Sequence, residues 1–481
     1  MKKLLFFTIL AGMMIWAGTA SAANVYYSVG QNATDHKTGS PTVTIDASGV
    51  ATFSVAQTAA NMGVGDRVTY GGAIAYISAK QSTTVWNLVT ATGGTPAATT
   101  SASVASIAHE YTSLSAAEAG ASDASHMATT TLIGGNFILN FPCYYDTGND
   151  LTSATIDGYT TGASNWIRVY TAISTDSEVN ETQRHSGVWN NKKYTLGITT
   201  TRSIADLYVQ DDFVRIDGIQ FEHVYDYTSA AIKQVAIQLT VAGSKMYVTN
   251  NIFRNKNNST GSLQGLYIGD SDTVTYVYNN VFYGYNNADG MAIQMGGAGP
   301  AGVYVYNNTF SSSTIGAWAG TAGTKILKNN LFVNIKSPAT GTFAAGTDYN
   351  STASSSMGYA VTGGGNTHDR LSQTFTFIGE SAANFHLRLG DSAARGYGAN
   401  LKNDANLAFS TDIDGENRSE TGAWDIGADE VVRTTQINSP KNYYTSGLVG
   451  YWGFNGQDTN WTSATAGNTT CRNSARRNTS S

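Results

Sequence analysis

Charge is scarce in this sequence: only 13% of its 481 residues are Asp, Glu, Lys or Arg, and the formal net charge is −6. Neutralising a phosphate backbone needs clustered Lys and Arg, and no basic cluster occurs before the last dozen residues, which argues against a nucleic-acid partner. Proline numbers 6 and cysteine 2, Cys143 and Cys471, too few and too far apart for a disulfide framework or a zinc finger. Cys143, in "NFPCYY", reads as a small buried hydrophobe. Histidine numbers 7, with no H-x-x-x-H pair. The glycine runs at 296–299 and 363–365 lack the Lys-Ser/Thr of a phosphate loop, and no G-x-S-x-G elbow is present. Past the N-terminus no apolar run is long enough to span a bilayer.

What is plentiful is Gly (51), Tyr (27), Thr, Ser, Ala and Asn. This polar, turn-rich and β-favouring composition points to an extracellular all-β protein. The N-terminus agrees. Lys2 and Lys3 precede "LLFFTILAGMMIWAG", and Ala20–Ser21–Ala22 offers a small-residue cleavage site, so residues 1–22 are expected to be an export signal removed on secretion. No membrane span is then expected in the mature chain.

The chain repeats itself. "YVTNNIF" (247–253), "YVYNNVF" (276–282), "YVYNNTF" (304–310) and "ILKNNLF" (326–332) place a first asparagine at 250, 279, 307 and 329. One step earlier "IDGIQF" (216–221) has Gly218 in that slot. A second apolar strand precedes each Asn pair: "AIQL" (236–239), "GLYIGD" (265–270) and "MAIQMG" (291–296). Short strands at a period of 20–50 residues, without helical spacing, predict a parallel β-helix whose coils stack at about 4.8 Å. Asn tolerates the left-handed conformation of a tight bend, and its amide can bond its copy in the next coil. Asn250, Asn279, Asn307 and Asn329 are therefore expected to form a structural ladder.

These coils resemble the right-handed parallel β-helices of the pectate-lyase-like superfamily. "FHLRLGDSAARGYGANL" (385–401) and "DIDGENRSETGAWDIGADE" (412–430) resemble the closing segment of secreted β-helix proteins with a choice-of-anchor Q ending, on Asp412, Asp414, Gly415, Arg418, Asp425, Gly427 and Glu430. The resemblance implies an all-β, right-handed parallel β-helix over residues 109–432. Within "HEYTSLSAAEAGAS" (109–122), Ser113 can cap a short helix with Leu114, Ala117 and Ala121 on its apolar face, in the manner of that superfamily's capping helix. Residues 24–108 read as an antiparallel β subdomain packed on or threaded into the first coils. "PTVTIDASGVATFSV" reads as its first hairpin and "TATGGTPAATTSAS" (90–103) as an exposed loop. Residues 433–446 read as a linker. "GLVGYWGF", opening 447–481, resembles the first strand of a laminin-G-like, concanavalin-type domain, with too few residues left for the two-sheet sandwich.

Aligned coils bring Glu222, His223, Arg254, Lys256 and Tyr285 towards one outer patch. Polysaccharide lyases work from such a patch, a basic residue removing the proton beside a uronate carboxylate. An ordinary Glu222–Arg254 cross-strand ion pair explains the same residues without chemistry. Tyr276, Tyr278, Tyr283, Tyr285, Tyr304 and Tyr306 lie in adjacent coils, where alternation should turn several outward to stack on sugar rings. "QDD" (210–212), "GDSD" (269–272) and "DID" (412–414) offer oxygens that Ca²⁺ would accept, but none has EF-hand spacing, so no cofactor is expected. The favoured function is a non-enzymatic, secreted or cell-surface protein that binds a polysaccharide or cell-surface glycan. The competing one is a polysaccharide lyase or glycoside hydrolase acting on an acidic polysaccharide.

Overall fold

The computed structural model describes residues 21–198, 204–223, 233–240, 245–256, 262–269, 273–296 and 301–431. Most of the export signal and all of the 433–446 and 447–481 segments lie outside these residues. No helix among them is long and apolar enough to cross a membrane.

The chain is a parallel β-helix with three sheet faces, as the repeat predicts. Face 1 holds the strands before the Asn pairs, from Phe137–Tyr144 and Ile167–Thr171 through Val214–Asp217, Lys245–Thr249, Val274–Tyr278 and Gly302–Tyr306 to Thr324–Lys328. Face 2 holds the short strands after them: Thr195–Leu196, Gln220–His223, Ile252–Asn255, Val281–Tyr283, Thr309–Ser311, Leu331–Val333 and Ser351–Thr352. Face 3 runs from Ala154–Ile156 through Ile204–Val209, Lys233–Leu239, Ser262–Ile268, Met291–Met295, Ile315–Ala319 and Ser337–Phe343 to Tyr359–Val361. Every pairing within the three faces is parallel.

One residue per coil sets the interior. Phe221, Phe253, Phe282, Phe310 and Phe332 stack with centroids 5.0, 4.4, 5.2 and 4.8 Å apart and planes within 11° of parallel. Face 3 opposes this column with small residues. A Cβ added at Gly265 would meet Phe282 Cδ1 at 2.8 Å, and one at Gly316 would meet Phe332 Cδ1 at the same distance. Bulk on one wall requires its absence on the other.

The corner between faces 1 and 2 is the Asn pair. Asn250, Asn279, Asn307 and Asn329 all have positive φ, as does Gly218. The continuous ladder runs one residue later, through Asn251, Asn280, Asn308, Asn330 and Asn350. Each donates its side-chain amide to the next side-chain oxygen at 2.9–3.1 Å, and each backbone N–H bonds that same oxygen. The four first asparagines form two separate links, Asn279 to Asn250 (3.2 Å) and Asn329 to Asn307 (3.0 Å), because their other contacts go to the C-terminal segment. Asn307 donates to the carbonyls of Asp425 and Gly427, and Asn279 to that of Thr411. Their ladder is therefore interrupted, and the second asparagines carry it.

Residues 366–431 return over the outside of faces 1 and 2. Phe377, Phe385, Leu387, Ile413 and Ile426 cover Ile252, Val281 and Leu331 on face 2. Leu401, Leu407 and Trp424 cover Tyr306 and Ile326 on face 1. The D-x-D-G-x-x-R…D-I-G-A-x-E residues lock this cover. Arg418 is fully buried, pairs with Glu430 at 3.3 Å, and donates to Asn279 Oδ1 and to the carbonyls of Gly427 and Ala428.

Ser113 caps the helix Leu114–Gly120, with Leu114 and Ala117 buried. Between the first solenoid strand, Ala23–Tyr26, and the second, Phe137–Tyr144, the chain makes a closed antiparallel barrel of six strands (Thr42–Ile45, Val50–Phe53, Arg67–Tyr70, Ala73–Lys80, Val85–Val89 and Thr99–Ala108). The expected loop at 90–103 is shorter, because barrel closure draws Thr99–Ser103 into the strand that pairs with Thr42–Ile45.

Candidate functional site

Coil register places Glu222 beside Arg254, and Arg254 and Lys256 both ion-pair with Glu222, Lys256 at 2.8 Å. The Arg254 guanidinium lies 3.4 Å from the centre of the Trp189 ring, which clamps it. Lys256 is half exposed. His223 does not join this patch. It points inward, donating from Nε2 to the Gln264 carbonyl (3.1 Å), and burial lowers its pKa to about 4, so it is neutral. Tyr285 is also inside, edge-on to His223. Glu222, Arg254 and Lys256 thus assemble as an ionic cluster, without the histidine or the tyrosine.

The six tyrosines divide in the same way. Tyr285 belongs to the solenoid core. Tyr278 stacks under Phe409 (4.6 Å), Tyr283 against Phe385 (5.9 Å), and Tyr306 is fully buried beneath the C-terminal cover. Tyr276 and Tyr304 remain in the outward row of face 1 with Tyr247, but they stack on one another at 4.8 and 5.5 Å. Stacked rings spend their faces on each other and offer a sugar only their edges. This row stiffens the sheet.

Face 3 is different. Neither the barrel core nor the two clusters formed by the C-terminal cover includes its strands. Register aligns Thr155, Tyr208, Gln238, Tyr267, Gln294, Trp318 and Thr340 in one row down seven coils. None is buried. Aromatic and amide side chains alternate, so the rings do not stack on each other. Glycines let two of them lie close against the chain: a Cβ at Gly269 would meet the Tyr267 ring at 2.6 Å, and one at Gly296 the Trp318 ring at 3.1 Å. Gln264, inboard of the row, donates to Gln294 Oε1 and fixes that amide.

The same strands run on into a cavity of about 340 Å³ lined by Tyr159, Thr160, Thr161, Gln210, Asp211, Asp212 and Thr240. Asp211 is committed to the fold, accepting from Gly158 N and Tyr159 N at 2.9 Å, and burial raises its pKa. Asp212 Oδ1 and Thr161 Oγ1 are buried and accept or donate nothing within the protein. The pocket is polar and has unmet hydrogen-bonding capacity.

Sequence reasoning found the face-3 strands but not their row. The signal was present as "AIQL", "GLYIGD" and "MAIQMG": one outward residue, Gln, Tyr or Gln, at the same register in successive coils. No protein-family model, no curated protein and no solved structure matches this chain.

Proposed function

We propose that this chain is a secreted, non-enzymatic β-helix of pectate-lyase-like type that binds a polysaccharide along face 3. The observation that carries the reading is the uncovered row Tyr208–Gln238–Tyr267–Gln294–Trp318. Rings recur every second coil, roughly 9–10 Å apart by strand spacing, about the length of a disaccharide unit in an extended chain. Sugar rings present C–H faces that stack on aromatics, and the intervening amides can bond their hydroxyls. The pocket at Asp212 and Thr161 would take a sugar unit at one end of the row. With no Lys or Arg in the row, the fitting ligand is a neutral glycan rather than a uronate polymer.

A glycan array on the purified protein tests this. Binding to a neutral polysaccharide is expected, and Trp318→Ala or Tyr267→Ala should each weaken it 10-fold or more, a loss of about 1.4 kcal/mol or greater. Tyr276→Ala should leave it unchanged. Binding indifferent to both face-3 substitutions would overturn the assignment. Release of unsaturated uronate products that stops with Lys256→Ala would favour the lyase reading at the Glu222 cluster instead.

A further inference from the structure

Outside face 3, one group of side chains is arranged as metal ligands are. His386 lies on the strand Asn384–Leu387, Asp414 on the turn that follows Asp412, and Asp429 in the closing D-I-G-A-D-E. One ligand atom from each lies within 4.8 Å of the other two. Asp412 builds the turn, its Oδ1 accepting from Asp414 N (3.0 Å) and Glu416 N (2.8 Å). Asp414 itself is left to face His386, with Oδ2 at 2.8 Å from His386 Nε2.

The imidazole is oriented as a ligand. Asn384 Oδ1 accepts the His386 backbone N–H at 3.2 Å, which identifies that atom as the amide oxygen, and it sits 2.6 Å from His386 Nδ1. Nδ1 is therefore the donor, the outer-sphere hydrogen bond that fixes the tautomer of a metal-binding histidine. Nε2 then faces the Asp414 carboxylate at 2.8 Å, a contact that a proton on Nε2 makes as it stands and that a bridging cation would widen. Two further observations favour a cation. Asp414 Oδ1 is buried without a hydrogen-bond partner, and Asp429, nine-tenths buried, engages only Leu387 N–H (2.8 Å).

Gly187 backs the pair closely: it has φ +65°, and a methyl group placed on it would lie 2.6 Å from Asp414 Oδ1 and 2.7 Å from His386 Nε2, so only glycine fits there without displacing both atoms. Tetrahedral Zn²⁺, with bonds of about 2.0–2.2 Å, sets ligand–ligand edges of roughly 3.4 Å, so the 2.8 Å His386–Asp414 contact would open slightly and Asp429 would close in. One nitrogen and two carboxylates suit Zn²⁺ better than Ca²⁺, which prefers an all-oxygen shell.

We propose that His386, Asp414 and Asp429 bind one Zn²⁺ ion, with a coordination position left for water or an external ligand. The ion would fasten the C-terminal cover, since all three ligands belong to it. The full chain, stripped with a chelator and dialysed against Zn²⁺, should retain one equivalent by elemental analysis and melt several degrees higher than the stripped protein. Asp429→Asn, which keeps the shape and the acceptor for Leu387, should lose both effects. Gly187→Ala provides a second arm: it changes none of the three ligand residues but sets a methyl group 2.6 Å from Asp414 Oδ1, and it should also lose the ion. Full retention of Zn²⁺ by either variant, no retention by the unaltered chain, or retention of Ca²⁺ in place of Zn²⁺ would each overturn the assignment; the first and second would leave an imidazolium–carboxylate pair as the account of His386.

Discussion

Asn279 and Asn280 are neighbours with the same amide and different partners. Asn280 sits in an unbroken run of side-chain amides, accepting at Oδ1 from Asn251 and donating to Asn308. Asn279 takes the left-handed corner and ties Thr411 and Arg418 to the solenoid. The repeat made the corner legible, since four Asn pairs at one register leave little else. It could not tell which member of each pair carries the ladder, because both recur with the same period. The difference should be measurable. Asn308→Ala removes the oxygen that accepts the Asn280 backbone and side-chain amides and the amide that bonds the Val277 carbonyl, and should cost about 1–3 kcal/mol. Adding Asn280→Ala should cost less than a second independent loss, because both belong to one network, and a double-mutant cycle by denaturant unfolding reads that coupling. Fully additive losses would mean that the ladder is four separate contacts.

At the scale of elements, the C-terminal segment decides which surfaces stay available. Its motif residues were legible in sequence as a closing pattern; what they close over was not. Tyr278, Tyr283 and Tyr306 satisfy every local rule for outward aromatics. They are covered by Phe409, Phe385 and Trp424, more than a hundred residues later in the chain, and alternation carries no information about a contact so remote. Among the described residues the C-terminal cover leaves face 3 alone for the complementary reason: its outward row is amides and lone rings, which give an apolar cover little to bury. Arg418 holds the cover down. It is buried with Glu430, so Arg418→Ala strands a carboxylate without its partner and should cost about 3–5 kcal/mol. The expected readout is selective. Limited proteolysis should cut the variant within residues 399–431 while the solenoid coils stay resistant. Cleavage spread evenly through the coils would show that the cover and the solenoid unfold together.

At the scale of the whole molecule, the barrel and the solenoid meet at a buried chain of ionisable groups. His109 follows the last barrel strand. Its Nδ1 is 2.7 Å from Asp66 and its Nε2 3.2 Å from Asp146, with His36 on the other Asp66 oxygen at 3.2 Å. Asn61 bonds Asp146, and the Tyr144 ring stacks on the His109 imidazole at 4.7 Å. No repeat or motif announces this arrangement, because its members are single residues scattered between positions 36 and 146. Burial alone would lower the His109 pKa, but Asp66 and Asp146 overcome it and hold it at about 9. Burial would raise Asp66, and His109 and His36 instead bring it well below the usual carboxylate range. A histidine whose pKa is raised on folding stabilises fully below its unfolded value near 6.5, and that stabilisation is lost as pH climbs towards 9. The Asp66 contribution runs the other way, present above about pH 4 and lost only in stronger acid. The melting temperature should therefore fall by a few degrees between pH 6.5 and 9. Other groups titrate in that window, so the decisive quantity is the difference from His109→Gln, whose melting temperature should be lower at pH 6 and converge on that of the unaltered chain by pH 9.5. Parallel curves across the window would mean that His109 is neutral at pH 6 and that packing of Tyr144 and the barrel core, without this charge, fastens the barrel to the coils.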